Sequence, residues 1–325
     1  MHIIDSDRLL SSLDLLSLID DLRQGHREGV DAAERVLLSD PAGSEEPNHL
    51  LIWPAWKFGR AAGAKFVSVF PGNERRGRGP NIHSVYVLFD GEDGRPRCLI
   101  TGESFTRWKT AADSALGATF LARNDARVLT VVGAGAQAPA QIRFLHAARP
   151  SIARVFVWNR TPAKARSLAH ELASSGVVAD PVEDLEPAVR SADIVSCLTS
   201  ARKPLLRGPW LKPGTHVDLV GSFTPEMREA DDETIRGGRL FVDNRLFTIT
   251  QCGDVAIPIA KGVIRQSDIA GDLFDLCCGR AAGRLTTTEI TVFKNGGGGH
   301  LDLMMAQALH RRALTLGSDP AGLTP

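Results

Sequence analysis

Residues 128–138 read VLTVVGAGAQA. An apolar, β-branched run stops at Gly133-Ala134-Gly135 and passes at once into Ala136-Gln137-Ala138. That order predicts a buried parallel strand, a tight turn and a helix with no spacer between them. Gly133 permits the turn, and Gly135 lets the backbone come close to a pyrophosphate. Ala138 is the small residue at which the helix packs on its strand. Gln137 and Ala138 open the helix, where unpaired N–H groups and the positive end of the dipole favour phosphate. A chain with this element folds as a βαβ nucleotide-binding sheet.

The next unit says which nucleotide. ARVFVW (153–158) reads as the second strand, and Asn159-Arg160-Thr161 follows it. Sites for NAD usually place Asp or Glu there, roughly 20 residues beyond the glycines, to hold the ribose 2′-hydroxyl. Here the position offers an amide, a guanidinium and a hydroxyl, with Lys164 and Arg166 close behind. A carboxylate would repel a 2′-phosphate, whereas a guanidinium binds it through paired charged hydrogen bonds. The expectation is NADPH, with NADH also admitted.

Composition excludes several classes. Over 325 residues, 38 basic side chains balance 38 acidic ones, so no charge excess favours nucleic acid or an anionic membrane surface. The opening MHIIDSDRLLSSLDLLSLIDDLRQG has leucines at helical spacing with acids between, which reads as an amphipathic helix and not a signal peptide. No apolar run is long enough to span a bilayer. The five cysteines (98, 197, 252, 277, 278) form no CxxC pair, so no zinc or other metal site is expected. Reduced thiols suit a cytoplasmic protein.

Before the glycine turn the pattern is α+β. HLLIWPAW (49–56), AKFVSVFP (64–71), SVYVLFD (84–90) and RCLITG (97–102) alternate between turns, as in an antiparallel meander. FTRWKTAADSALGATFLAR (105–123) has helical spacing and leads into the nucleotide strand. From 128 to about 294 the rhythm is βαβα, with DIVSCLT, THVDLVG and RLFVDN as further near-continuous apolar strands. FKNGGGGHLDLMMAQALHRRAL (293–314) then returns as a helix to the first domain.

LIWPAW, AKFVSVFPGN, VYVLFDGEDGRP, FTRWKTAADSALGATFLAR, VVGAGAQA, VWNRT, DIVSCLTS, HVDLVGSFTPEMREAD and EITVFKNGGGGHLDL occur in that order. Together they resemble the ornithine cyclodeaminase/μ-crystallin family over nearly the whole chain. The resemblance implies a doubly wound Rossmann sheet, residues 121–294, inserted into a discontinuous α+β domain. That domain, residues 1–120 plus 295–325, would bind substrate and form a homodimer. It also implies that Arg35, Lys65 and Lys109 hold a substrate carboxylate. Lys109 stands where the family usually has Arg, which keeps the charge but loses the planar fork.

A second departure bears on the reaction. Ornithine cyclodeaminases carry an acid–base Asp in a Gly-Ser-Asp-x-Pro turn, and this chain reads Gly221-Ser222-Phe223-Thr224-Pro225. A phenyl ring cannot move a proton, but it suits the methylenes of a ring substrate. Reducing a formed C=N bond demands only a hydride, a carboxylate anchor and one proton. The pair GSFTPEMREADD and FKNGGGGHLDL most resembles the branch of the family that reduces Δ1-pyrroline-2-carboxylate and Δ1-piperideine-2-carboxylate, and that resemblance implies L-proline or L-pipecolate as the product. The nicotinamide would lie at Thr199, Val220, Gly221 and Ser222. His83 and Asp302 are the candidate proton donors. Ornithine cyclodeamination, an alanine dehydrogenase-type activity and a non-catalytic NADPH-binding role stay open.

Overall fold

The structure, a computed structural model, describes residues 1–10, 13–32, 34–40, 47–174 and 176–316. Two compact units divide the chain: Met1–Lys109 with Gly298–Pro325, and Thr110–Gly297. The division passes between Lys109 and Thr110, inside the Ser104–Leu121 helix.

The first unit is built on a seven-stranded sheet of β1 (His2–Asp5), β2 (Asp31–Ala32), β3 (Val36–Ser39), β4 (His49–Lys57), β5 (Ala61–Val69), β6 (Ile82–Asp90) and β7 (Pro96–Thr101). β4 to β7 form the antiparallel meander expected from the alternating runs. The amino-terminal stretch differs from the single helix expected there. His2–Asp5 pairs in parallel with β7, a short helical segment covers Ser6–Leu10, and the long amphipathic helix begins only at Leu15. Ile4 is buried while Ile3 is half-exposed, the period of two of a strand. Asp14 caps the long helix by accepting the Ser17 N–H at 2.9 Å.

The same alternation divides the sheet into two faces. Ala55, Ala61, Lys65, Tyr86, Leu88, Cys98 and Ile100 are buried on one, against the Gly299–Leu316 helix and the Leu15–Glu28 helix that packs on it. The other face carries Leu50, Ile52, Trp56, Phe66, Val85, Val87, Phe89, Leu99 and Ile3, and these remain partly or largely exposed.

The second unit holds a parallel sheet of β8 (Val128–Val132), β9 (Arg154–Trp158), β10 (Ala179–Val182), β11 (Ile194–Cys197), β12 (His216–Leu219), β13 (Arg239–Val242), β14 (Gly271–Asp272) and β15 (Thr291–Lys294). Their spatial order is β10-β9-β8-β11-β12-β15-β13-β14. β15 is not among the strands that the sequence pattern predicts, because its four residues run straight into the glycine-rich segment; it pairs between β12 and β13. The chain moves outward from β8 through β9 and β10, then returns to β8's other side with β11. That reversal, at the carboxyl ends of β8 and β11, is where a doubly wound sheet binds its ligand. Among the described residues, no helix is long and apolar enough to cross a membrane.

Candidate active site

In the first unit the sheet register sets up a row of facing residues. Trp53 pairs with Lys65, Lys65 with Tyr86, and Tyr86 with Ile100. Residues directly opposite share a face, so Lys65 points to the side covered by the Gly299–Leu316 helix. Asp302 sits in the first turn of that helix, where a carboxylate is favoured by the dipole. Lys65 Nζ lies 3.2 Å from Asp302 Oδ1 and 3.0 Å from Oδ2, and Lys109 Nζ lies 2.9 Å from Oδ1. The Lys65 ammonium is 5.0 Å from the Trp53 ring centroid. All three charged groups are buried.

Two positive charges therefore share one negative charge. Burial lowers the Lys65 amine to about 8, with Lys109 adding repulsion and Asp302 opposing the fall. Burial would raise the Asp302 carboxyl, but the Lys109 and Lys65 charges outweigh it and hold the group below its ordinary value. Nearby, burial brings His26 down to about 4 and His300 well below its normal range, so both stay neutral. Neither imidazole therefore adds charge to the two ammonium groups that share Asp302, and buried charge of this kind calls for a partner.

The structure brings Lys65, Lys109 and Asp302 together, but it does not bring His83. His83 is exposed, and it stands three residues from Tyr86 along β6, on the opposite face of the sheet. Asp302 also changes role. Held ionised by two ammonium groups, it has no proton to donate at neutral pH and serves as their shared counter-ion. Arg35 is half-buried and immediately precedes Val36, which pairs with Ile52; continuing that register sets Arg35 opposite Trp53. Tyr86 is a site residue that sequence reasoning does not single out. It is the only tyrosine in the chain, lies in the same row, and packs its ring 5.3 Å from Phe105.

In the second unit the glycine turn has the expected form. Gly133 has φ of 114°, and its N–H donates to the Trp158 carbonyl at 2.8 Å. A side chain at Gly135 would meet nothing within 4 Å, which leaves room there for a phosphate. The helix starts at Ala138, with Gln137 preceding it and Pro139 in its first turn. Gly135 and Ala136 are exposed at its mouth. These features fit a dinucleotide, whose pyrophosphate would rest on the 133–138 backbone.

Asn159 has a more specific place than its position alone implies. Its Oδ1 accepts the Ala134 N–H at 3.2 Å and its Nδ2 donates to the Thr161 carbonyl at 3.0 Å. It ties the glycine turn to the loop after β9. Arg160 and Thr161 are exposed beside it. At the other strand ends, the Val220 N–H donates to the Cys197 carbonyl at 3.0 Å. Ser222 is buried and donates to the Met227 carbonyl at 2.8 Å, so its hydroxyl closes the turn that presents Phe223, 58% exposed.

Residues 9–316 match the ornithine cyclodeaminase/mu-crystallin family. The chain belongs to that family. Among its relatives, the Delta(1)-pyrroline-2-carboxylate reductase of Paracoccus denitrificans is 44% identical over 295 residues, 90% of this chain and 91% of its own length. The fold is shared with Thermococcus litoralis Delta(1)-pyrroline-2-carboxylate reductase, solved in complex with NADH and L-proline, at a TM-score of 0.88. That pair is 28% identical over 98% of each chain. An archaeal alanine dehydrogenase dimer with bound NAD gives a TM-score of 0.86 at 25% identity over 97% of each chain. One family architecture thus serves more than one reaction, and the residues of the site must choose among them.

Proposed function

We propose that the protein reduces a cyclic ketimine carboxylate, Δ1-pyrroline-2-carboxylate or Δ1-piperideine-2-carboxylate, to L-proline or L-pipecolate. The observation that carries this reading is the buried Lys65–Asp302–Lys109 cluster, in which two ammonium groups share one carboxylate. A substrate carboxylate supplies the missing anion. Arg35, at the edge of the same row, adds a guanidinium to that end. When bound, the nicotinamide cofactor supplies hydride to C2 of the ring. The chain's own work is to hold the carboxylate, exclude water and deliver a proton to the ring nitrogen. A cyclic imine is basic enough to arrive protonated. Where it does not, the Lys65 ammonium, brought to about 8, is the group in the cluster able to release a proton near neutral pH. The presence of Phe223 in place of an acid favours imine reduction over deamination.

The Delta(1)-pyrroline-2-carboxylate reductase relatives support the substrate class, and the neighbours that bind NADH or NAD support a nicotinamide cofactor. We infer a preference for NADPH from Arg160, with no carboxylate at the ribose position. The test is NADPH and NADH oxidation with the two cyclic imines and with pyruvate plus ammonia in parallel. Turnover confined to pyruvate and ammonia would refute imine reduction. Ammonia release from ornithine without net redox change would make the protein a lyase. In the same assay Arg160→Ala is expected to lower the NADPH/NADH ratio of kcat/KM about tenfold, the worth of a charge-assisted hydrogen bond. An unchanged ratio removes Arg160 from the argument.

The half-exposed apolar sheet face is the surface we assign to self-association. Leu50, Trp56, Phe66, Val87 and Leu99 share that face and are partly or largely exposed, and an apolar face left open is the mark of an interface. Light scattering should give about twice the 35.0 kDa chain mass, and Val87→Asp should reduce it to one. A wild-type mass of one chain excludes the dimer. Cysteines that form no disulfide, four of the five buried, accord with a cytoplasmic setting.

A further inference from the structure

Glu229 is a buried acid of the second unit that the proposed chemistry does not use. Its Oε1 accepts the Thr199 N–H at 2.6 Å and the Thr199 hydroxyl at 2.9 Å, while Oε2 accepts the Gly221 N–H at 2.7 Å. Thr199 follows β11 and Gly221 follows β12, two strands paired up to Cys197 and Leu219. One carboxylate therefore staples two neighbouring strand ends. The backbones approach so closely that a side chain at Gly221 would begin 1.9 Å from the Thr199 carbonyl oxygen.

Glu229 is itself anchored. Asp254 Oδ1 accepts the backbone N–H of Glu229 at 2.8 Å and of Ala230 at 3.1 Å. Asp254 Oδ2 lies 3.8 Å from Lys294 Nζ, which donates to the carbonyl of Leu219 at 3.0 Å. Both are fully buried. Burial, then the adjacent Asp254 charge, push the Glu229 carboxyl up to about 7. A polar surface residue would do the same stapling without that cost, and a costly buried acid at a ligand-binding strand end is a mark of function.

We propose that Glu229 is a positioning residue for the nicotinamide end of the cofactor site, fixing the Thr199 and Gly221 backbones against which that end rests. The inference depends on the reading that these strand ends hold the nicotinamide. Three donors converge on the two oxygens, and the ionised carboxylate, which only accepts, satisfies all of them. Glutamine would turn an NH2 group toward one of them. Among the described hydrogen bonds none joins Glu229 to the glycine turn or the 159–161 loop, which would take the adenosine half.

This separation gives the test. Wild type and Glu229→Gln are titrated calorimetrically with NADPH and with 2′-phospho-ADP-ribose, the same molecule without its nicotinamide, or with NADH and ADP-ribose if wild type binds NADH more tightly. The expected result is a loss of about 10- to 100-fold for the whole cofactor, as for a hydrogen bond to a charged group, and a change under twofold for the truncated one. Equal losses for both ligands, or none for either, overturn the proposal. A wild type that binds neither overturns the cofactor reading beneath it. If E229Q does not fold, Thr199→Val removes only the hydroxyl donor, and the same split is expected at about 3- to 10-fold.

Discussion

Replacing Lys109 with alanine is expected to reduce kcat/KM for the cyclic imino acid by about 10²- to 10³-fold, the usual range for truncating one member of a buried charge pair. The reason is arithmetic of charge. Lys65 and Lys109 together exceed Asp302 by one positive charge, and that excess is what a substrate carboxylate neutralises. In Lys109→Ala the Lys65–Asp302 pair is complete by itself, so an incoming carboxylate finds a neutral pocket and loses its hydration without return. The carboxylate is bound in ground state and transition state alike, so most of the loss should fall on KM. Lys109→Arg restores the charge and adds the fork that the family usually has there; it should stay within about tenfold of wild type. Steady-state kinetics on the two imines decides it. Undiminished turnover by Lys109→Ala would show that the carboxylate is anchored elsewhere.

The parts of this protein legible in its sequence are those set by local backbone demands. Gly133 announces a turn because its φ of 114° is one that other residues rarely adopt, and the β-branched strands announce a sheet buried on both sides. Lys65 stands out because a lysine inside an apolar strand needs a partner. That partner is not legible, since Asp302 lies 237 residues away and only the sheet register and the final helix bring it to Lys65. The same distance explains why its role is misjudged: an acid after four glycines looks like a proton donor until two lysines are found on it. His83 misleads for a simpler reason. Its strand is plain in the sequence, but the face it occupies follows from counting along β6 from Tyr86, and nothing local marks Tyr86 as the inward residue. Glu229 carries no signal either, because its role lies in backbone N–H groups that any sequence would supply.

Asp302→Asn is the substitution expected to disturb the molecule most. Asparagine keeps the shape but leaves Lys65 and Lys109 buried with no anion between them, and loss of one partner from such a set costs about 3–5 kcal/mol. The pH dependence identifies the cause. In wild type, burial and Lys109 bring Lys65 down to about 8 while Asp302 holds it up. Below that pH Lys65 is charged and the carboxylate site is intact; above it the excess charge disappears, so KM for the imino acid should climb as pH passes 8. Without Asp302 the upward pull is gone, and the same limb should move to lower pH. Stability has the matching sign. A lysine whose amine is depressed in the folded state binds fewer protons there than in the unfolded chain, so stability rises with pH. For wild type this window runs from about 8 up to the ordinary lysine value of 10.5. For Asp302→Asn it opens lower, so the variant's deficit should be greatest at acid pH, shrink as pH approaches the wild-type value of about 8, and level off above it, where both proteins gain alike. Urea unfolding on both sides of that value, alongside the KM profile, measures both. A deficit independent of pH, with the KM limb unmoved from about 8, would mean that Asp302 fills space in the helix packing and does not set the charge of the two lysines.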